Sequence, residues 1–123
     1  MIVQIEKEAT LLNKKADALV LVVDHDGADR TGLLKHWLDI GQVIAMMATC
    51  KELTPGTALH FELERAHLYV VTSEDFEASM KRVLAMAGSH DVSSINVPDI
   101  EGLAHVIWGM SEDDDIVINL CSK

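Results

Sequence analysis

The residues with the richest chemistry lie in one short stretch, 24–37, which reads DHDGADRTGLLKHW. It directly follows the most hydrophobic short run of the chain, ALVLVV at 18–23, and it continues into a helical pattern. Its carboxylates and histidines could bind a metal ion or carry out acid–base catalysis, whereas its glycines could hold an anionic ligand. A polar turn that only ends a strand and begins a helix is the third interpretation of these residues.

The spacing of the acids and histidines in this stretch argues against a metal site. Successive side chains of an extended segment point in opposite directions, so His25 does not converge with Asp24 or Asp26 without a bend. We therefore predict no metal ion and no cofactor, and we keep His25 and Asp26 as the catalytic candidates if the protein is an enzyme. None of the later histidines shows HExxH-like spacing, and each is expected to be an ordinary surface histidine or one with its hydrogen bonds satisfied: His60, His67, His90 and His105.

Other residues of the stretch favour ligand binding. Gly27 and Gly32 allow a close approach of the backbone or a positive φ angle. A helix that begins near Thr31 would point unpaired N–H groups at the loop, which favours an anion, and Arg30 acts in the same direction. The aspartates of the loop oppose an anion, so a plain strand-to-helix turn stays an alternative interpretation.

The apolar patterns of the chain predict the elements that position this stretch. Continuous or alternating apolar runs indicate strands, and apolar residues three and four positions apart indicate helices. Strands are predicted at 2–8, 18–23, 57–64, 66–73, 93–98 and 115–120, and helices from Thr31 onward, at 73–88 and at 102–110. Thr72 or Ser73 is expected to cap the second helix. The order β-β-α-β-β-α-β-α-β predicts one domain over 1–123 with an α/β fold, a three-layer α/β/α sandwich with a mixed central sheet.

The strand order also predicts where a ligand would bind. In open α/β sheets, ligands lie beyond the carboxyl ends of the parallel strands. Three segments could lie at such an edge, namely 24–32, 72–75 and 98–102, because each follows a predicted strand. The first of them contains the stretch with the richest chemistry.

Composition and charge exclude several classes of protein. The 123 residues carry a formal net charge of −10 and no large cluster of lysines and arginines, so nucleic acid is not expected as a partner. No run approaches the roughly 18 consecutive apolar residues that span a bilayer, and the N-terminus lacks a signal-peptide pattern. We expect a cytoplasmic protein that does not contact membranes, with Cys50 and Cys121 as reduced thiols.

Several stretches have the order and spacing of one known family: EATLLNKKADALVLVVD (8–24), ADRTGLLKHW (28–37), LTPGTALHFEL (53–63), AHLYVVTS (66–73) and SINVP (94–98). Together, from about Ile2 to Leu120, they resemble the macro domain family, α/β modules that bind ADP-ribose or hydrolyse its conjugates. The second stretch is similar to the glycine-rich loop and helix of the antitoxin branch, which removes ADP-ribose from DNA.

The resemblance implies a site for ADP-ribose, or a related nucleotide or nucleoside, across 24–32 and 98–102. Asp24 would contact the ribose or the base, and Val71, Thr72 and Ser73 would wall the cleft. The remaining implied ligand-binding residues lie in the two loops: Gly27, Arg30, Thr31, Gly32, Pro98, Asp99 and Gly102. Any catalysis would be an ADP-ribosyl hydrolase-type reaction that uses His25 or Asp26.

Departures from the family pattern support a second hypothesis, a non-catalytic interaction module that kept the fold and lost the ligand pocket. Ala9 and Thr10 stand where the family has Gly-Asp, and Asp24 stands where it usually has asparagine. The acidic residues of 99–102 would oppose a diphosphate. Such a module would bind a protein partner or a second copy of itself. A third hypothesis is a relative of the N-terminal domain of leucyl aminopeptidases, without peptidase activity.

Overall fold

The computed structural model of the chain describes residues 1–24, 29–31, 40–50, 53–64, 66–100, 102–110 and 115–121. The described strands are β1 (Ile2–Glu6), β2 (Ala18–Val23), β3 (Ala58–Glu62), β4 (His67–Thr72), β5 (Ser94–Pro98) and β6 (Val117–Cys121). The described helices are α1 (Ile40–Cys50), α2 (Phe76–Ser89) and α3 (Ala104–Gly109). The elements follow one another in the predicted order, and no helix within these ranges is long and apolar enough to cross a membrane.

The six described strands form one mixed sheet in the order β1-β6-β5-β2-β4-β3. Neighbouring strands run parallel except at one end, where β3 is antiparallel to β4. β2 and β4 pair along their whole length, from Ala18 opposite His67 to Val23 opposite Thr72. The predicted α/β fold with a mixed central sheet is confirmed, and the strands that precede the candidate loops lie in its interior.

Apolar side chains on both faces of the sheet explain why β2 is a continuous hydrophobic run. Val20 and Val22 join the core under α2 and α3, whereas Leu19 and Leu21 join a second core that includes Met46 of α1. Every residue of β2 is therefore buried. A strand covered on both faces has no solvent side on which polar residues could alternate.

The start of α2 differs from the prediction. Its N-cap residue is Asp75, which has a φ of 52° and makes no side-chain capping hydrogen bond. The expected capping hydroxyls are engaged elsewhere, because Thr72 Oγ1 donates to Glu74 O at 2.7 Å and Ser73 Oγ donates to Asp24 Oδ1 at 2.9 Å. The prediction of a Thr72 or Ser73 cap is therefore wrong.

The end of α2 is determined by the residues that follow it. His90 is the C-cap, and its backbone N–H donates to the carbonyl oxygens of Ala87 and Met86. Asp91 then adopts a left-handed φ of 57°, and Val92 N donates to Ala87 O at 2.9 Å. This closure fixes the backbone of His90 at the amino-terminal edge of the sheet, since α2 runs back from the carboxyl end of β4.

Candidate functional site

The carboxyl ends of β2 and β4 bring two of the three candidate segments together. Ser73 N donates to Val23 O at 2.9 Å, so the chain after β4 continues alongside the end of β2. The Ser73 hydroxyl donates to Asp24 Oδ1 at 2.9 Å, although the two residues are 49 positions apart. This contact joins segments 24–32 and 72–75 directly.

Residues 29–31 return to the same edge of the sheet. Asp29 forms an antiparallel bridge with Val23, and Arg30 N donates to Val22 O at 2.9 Å. Asp29 Oδ1 accepts hydrogen bonds from Thr31 N at 2.8 Å and from the Thr31 hydroxyl at 2.6 Å. These contacts hold the end of the loop against β2 and place the Arg30 side chain beside Asp24.

Arg30 and Asp24 form a loose ion pair at this edge. The distance from Arg30 Nε to Asp24 Oδ1 is 3.7 Å, and the two side chains are 36% and 40% exposed. Solvent screens such a pair, which contributes only about 0–1 kcal/mol to stability. The guanidinium can therefore turn toward an anionic ligand at little cost.

The loop after β5 lies at the same edge, because β5 pairs in parallel with β2. Pro98 is buried, whereas Asp99 and Gly102 are exposed. Asp99 N donates to Cys121 O at 2.9 Å, which ties the loop to the end of β6. Gly102 has a φ of +86°, and no heavy atom lies within 4 Å of the position that a Cβ would occupy. Within this loop, Gly102 thus presents open backbone.

Two of the three residues expected to wall the cleft are covered by protein. Val71 is fully buried in the core under α2, and Thr72 is 1% exposed. Ser73 is partly exposed and is the part of this segment that faces the edge. The catalytic candidates His25 and Asp26, together with Gly27 and Gly32, lie outside the described residues, so their roles stay predictions.

Two cavities of the described part of the chain lie elsewhere. A cavity of about 270 Å³ is lined by 11–16, Leu19 and Ala66, near the amino ends of β2 and β4. A second, of about 300 Å³, lies beside β3 and is lined by Thr49, Leu53, Thr54, Thr57 and Leu59. Neither includes Asp24 or Ser73 among its lining residues.

A cluster of three histidines lies at the opposite end of β4, and sequence reasoning missed it. The antiparallel register places His60 opposite Tyr69 and Glu62 opposite His67, so these side chains share one face of the sheet. His90, the C-cap of α2, completes the cluster. His60 Nε2 lies 2.9 Å from His67 Nδ1, and the His60 and His90 rings stack with centroids 4.0 Å apart.

The environment of these histidines differs from that of ordinary surface side chains. Each of the three is half-buried. Burial lowers the pKa of His60 below 6.5, the neighbouring His90 and His67 lower it further, and Glu62 raises it. His60, His67 and His90 each have a hydrogen-bond partner, as expected of satisfied histidines, but their grouping in one cluster was not predicted. His60 and His67 could have been placed on one face of the sheet from the alternation of polar residues along β3 and β4. Nothing in the local sequence connects His90 to them.

Comparison with solved structures identifies the fold. The macrodomain of Thermus aquaticus DarG matches with a TM-score of 0.77 and 13% identity over 99% of each chain. The macrodomain of Mycobacterium tuberculosis DarG matches with a TM-score of 0.72 and 17% identity over 98% of this chain and 99% of that one. A variant of tomato leucine aminopeptidase matches with a TM-score of 0.66 and 15% identity, over 99% of this chain but 32% of that enzyme. The chain therefore has a macro-domain-like fold.

Sequence comparison adds no closer relationship. The sequence matches no protein-family model and no curated protein. At identities of 13–17%, the structural likeness establishes the fold alone.

Proposed function

We propose that this chain is a single macro-like domain that binds ADP-ribose, or a related nucleotide or nucleoside, at the carboxyl edge of β2, β4 and β5. The observation that carries the proposal is the hydrogen bond between Ser73 and Asp24, which joins two loops at this edge of a macro-domain-like fold. Ligands of open α/β sheets bind beyond the carboxyl ends of the strands. ADP-ribose is the proposed ligand because the sequence resembles the macro domain family, whose modules bind it, and the likeness of the fold to solved macrodomains supports this choice.

Two side chains at this edge, those of Asp24 and Arg30, suit a ligand that carries both hydroxyl groups and phosphates, whereas the exposed carboxylate of Asp99 opposes the phosphates. The Asp24 carboxylate has free acceptor capacity beside the Ser73 hydrogen bond and can accept one from a ribose hydroxyl. The Arg30 guanidinium can pair with a phosphate. The phosphates would approach the backbone near Gly27 and Gly32 on one side and near Gly102 on the other.

Calorimetry and thermal unfolding with ADP-ribose, NAD and AMP test the binding proposal. A ligand at 100 times its Kd should add about 2.7 kcal/mol to the free energy of unfolding, which raises the Tm of a chain of this length by about 10 °C. Arg30→Ala should weaken binding, whereas Arg82→Ala, which removes the same charge from an exposed position of α2, should not. Gly32→Glu should abolish binding and leave the fold intact. No shift with any of the three ligands at millimolar concentration would exclude the proposal.

Hydrolysis of an ADP-ribosyl conjugate is the second part of the proposal, with His25 or Asp26 as the general base that activates water. Release of ADP-ribose from a modified substrate would be measured for the parent and for His25→Ala and Asp26→Ala. Loss of turnover with retained ADP-ribose affinity in one variant would support the role of that residue. Binding without turnover in the parent chain would leave a ligand-binding module.

The exposed apolar residues of β1 favour one alternative function, a protein-interaction module. β1 is an outer strand of the sheet, and Ile2 and Ile5 are 56% and 52% exposed. Outer strands pair readily with a further strand, so a second copy of the chain is the partner that this edge suits. Sedimentation would then show a dimer that Ile5→Lys converts to a monomer, and no nucleotide would shift the Tm.

A further inference from the structure

We propose that His60, His67 and His90 form a binding site for a divalent transition-metal ion, with Zn²⁺ as the representative case. One ring nitrogen from each of the three residues lies within 4.8 Å of the other two. Zinc, copper and nickel ions prefer imidazole nitrogens as ligands, whereas hard ions such as Mg²⁺ prefer oxygen ligands. The site lies at the amino end of β4, away from the carboxyl edge, so this inference does not rest on nucleotide binding.

The distances between the ring nitrogens are close to those that a zinc ion requires. Tetrahedral coordination with Zn–N bonds of about 2.0–2.1 Å places two ligand nitrogens about 3.3 Å apart. His60 Nε2 and His67 Nδ1 are 2.9 Å apart. One nitrogen of each of the three rings lies within 4.8 Å of the other two, so the widest separation is at most 4.8 Å. To reach this geometry, the closest two ring nitrogens must move apart by about 0.4 Å. The most distant two must approach each other by no more than about 1.5 Å.

The backbone positions are fixed while the side chains can rotate. His60 and His67 belong to paired strands, and His90 is held by the hydrogen bonds that end α2. The rings now stack, with angles between planes of 24° for His60–His67, 22° for His60–His90 and 5° for His67–His90. Three lone pairs that converge on one ion need rings that are tilted apart. Binding therefore exchanges the stacking contacts, and the hydrogen bond between His60 Nε2 and His67 Nδ1, for coordination. The proton of that hydrogen bond moves to the other nitrogen of its ring, and the side-chain torsions change.

Tyr69 can orient the third ligand. Its hydroxyl lies 2.9 Å from His90 Nδ1, and the Tyr69 side chain is fully buried. When His90 Nδ1 donates its proton to this hydroxyl, the lone pair of the neutral ring lies on Nε2. Histidines that bind metals commonly make such a contact through their second nitrogen. Three imidazoles leave the fourth coordination position to water or to an external ligand.

Calorimetric titration of the untagged, EDTA-treated chain with ZnCl₂ tests the proposal. At about pH 7.5, where imidazoles are largely neutral, we expect one ion per chain with a Kd of about 1 µM or below. MgCl₂ should give no binding heat. His67→Ala and His90→Ala should each weaken zinc binding at least about tenfold. His105→Ala, which removes an exposed histidine of α3, is the matched control and should retain the parent affinity. Equal affinities for His67→Ala and His105→Ala would overturn the proposal.

Substitution of a half-buried histidine can also destabilise the fold, so a second measurement uses the unsubstituted chain. Long-range ¹H–¹⁵N NMR spectra report on each histidine ring nitrogen as zinc is added. Shifts confined to His60, His67 and His90 would support the site, and shifts at His105 or other histidines instead would contradict it. A titration with ADP-ribose on the same sample tests the nucleotide proposal separately from the zinc proposal. Failure of either ligand to bind leaves the result for the other ligand unaffected.

Discussion

Replacement of Asp24 by asparagine is expected to strengthen nucleotide binding at the carboxyl edge. The substitution removes a negative charge beside the position proposed for the phosphates, and it keeps an oxygen that can accept the hydrogen bond from Ser73. It also releases Arg30, whose Nε lies 3.7 Å from the Asp24 carboxylate, to pair with the ligand. Both changes raise the affinity for an anion, and an asparagine at this position also matches the macro domain pattern.

The size of the effect follows from the exposure of Asp24. Two unit charges about 4 Å apart interact by about 1 kcal/mol in bulk water and by about 4 kcal/mol at an effective dielectric constant of 20. Because the Asp24 side chain is 40% exposed, the value near that of water applies. A gain of about 1–1.4 kcal/mol corresponds to a Kd for ADP-ribose that is lower by about fivefold to tenfold.

Calorimetry with ADP-ribose measures this change against a matched control. Asp115→Asn removes one charge from an exposed residue before the amino end of β6, so the two variants have the same net charge. The five residues of β6 span about 16 Å between Asp115 and the carboxyl edge, which is about twice the Debye length of about 8 Å, so removal of the Asp115 charge should leave the affinity nearly unchanged. The advantage of Asp24→Asn should shrink at high salt. An affinity for Asp24→Asn that is equal to or weaker than that of the parent would refute the reasoning.

Three further predictions test the described structure. Asn96→Leu should lower the free energy of unfolding in urea by about 2–4 kcal/mol, because Asn96 Nδ2 donates to the backbone oxygens of Leu11 and Lys14. Asn119→Leu removes one hydrogen bond, from Asn119 Nδ2 to Asn96 Oδ1 at 3.1 Å, and a buried oxygen that has no hydrogen-bond partner. It should therefore cost less than Asn96→Leu, and equal losses would contradict this account. Hydrogen bonds from Ser93 lower the pKa of Asp17 in the folded chain below its ordinary value of 3.8. The ionised Asp17 carboxylate therefore stabilises the fold at pH values above 3.8, and this stabilisation is lost as the pH falls through the lowered pKa. Asp17→Asn should therefore have a lower Tm than the parent at neutral pH, and the two should converge under acid conditions. Burial raises the pKa of the Cys121 thiol to about 11, so peptide mapping should find slow iodoacetamide labelling of Cys121 in the native chain and fast labelling in urea.

The strands could be predicted because apolar patterning largely determines them. ALVLVV has no polar alternation, which indicates burial on both faces, and helices indeed cover both faces of β2. The N-cap of α2 could not be predicted by the same means. The hydroxyls of Thr72 and Ser73 have competing partners, the carbonyl oxygen of Glu74 and the carboxylate of Asp24, and the second of these is distant in sequence.

The two candidate sites differ in how far the sequence could indicate them. The meeting of Asp24 with Ser73 follows from parallel strand order, because loops after neighbouring parallel strands lie at one edge. The histidine cluster instead depends on the register of β3 against β4, and a slip of one residue in β3 would move His60 to the other face. It also depends on the length of α2, since His90 reaches the cluster only because the helix ends at Ser89.

The two proposed sites lie at opposite ends of one strand, and we expect them to act independently. His67 begins β4 and Ser73 follows its last residue, so extended backbone separates them by about 20 Å. This is more than twice the Debye length at physiological ionic strength, so the charge of a bound metal ion would act only weakly on ligand phosphates. A mechanical link would require β4 to shift its register, which would break its pairing with both β2 and β3. The Kd for ADP-ribose should therefore be the same in EDTA and in buffered zinc. A difference of about tenfold, equivalent to about 1.4 kcal/mol, would show that the two ligands are coupled and would contradict the separation argued from the strand.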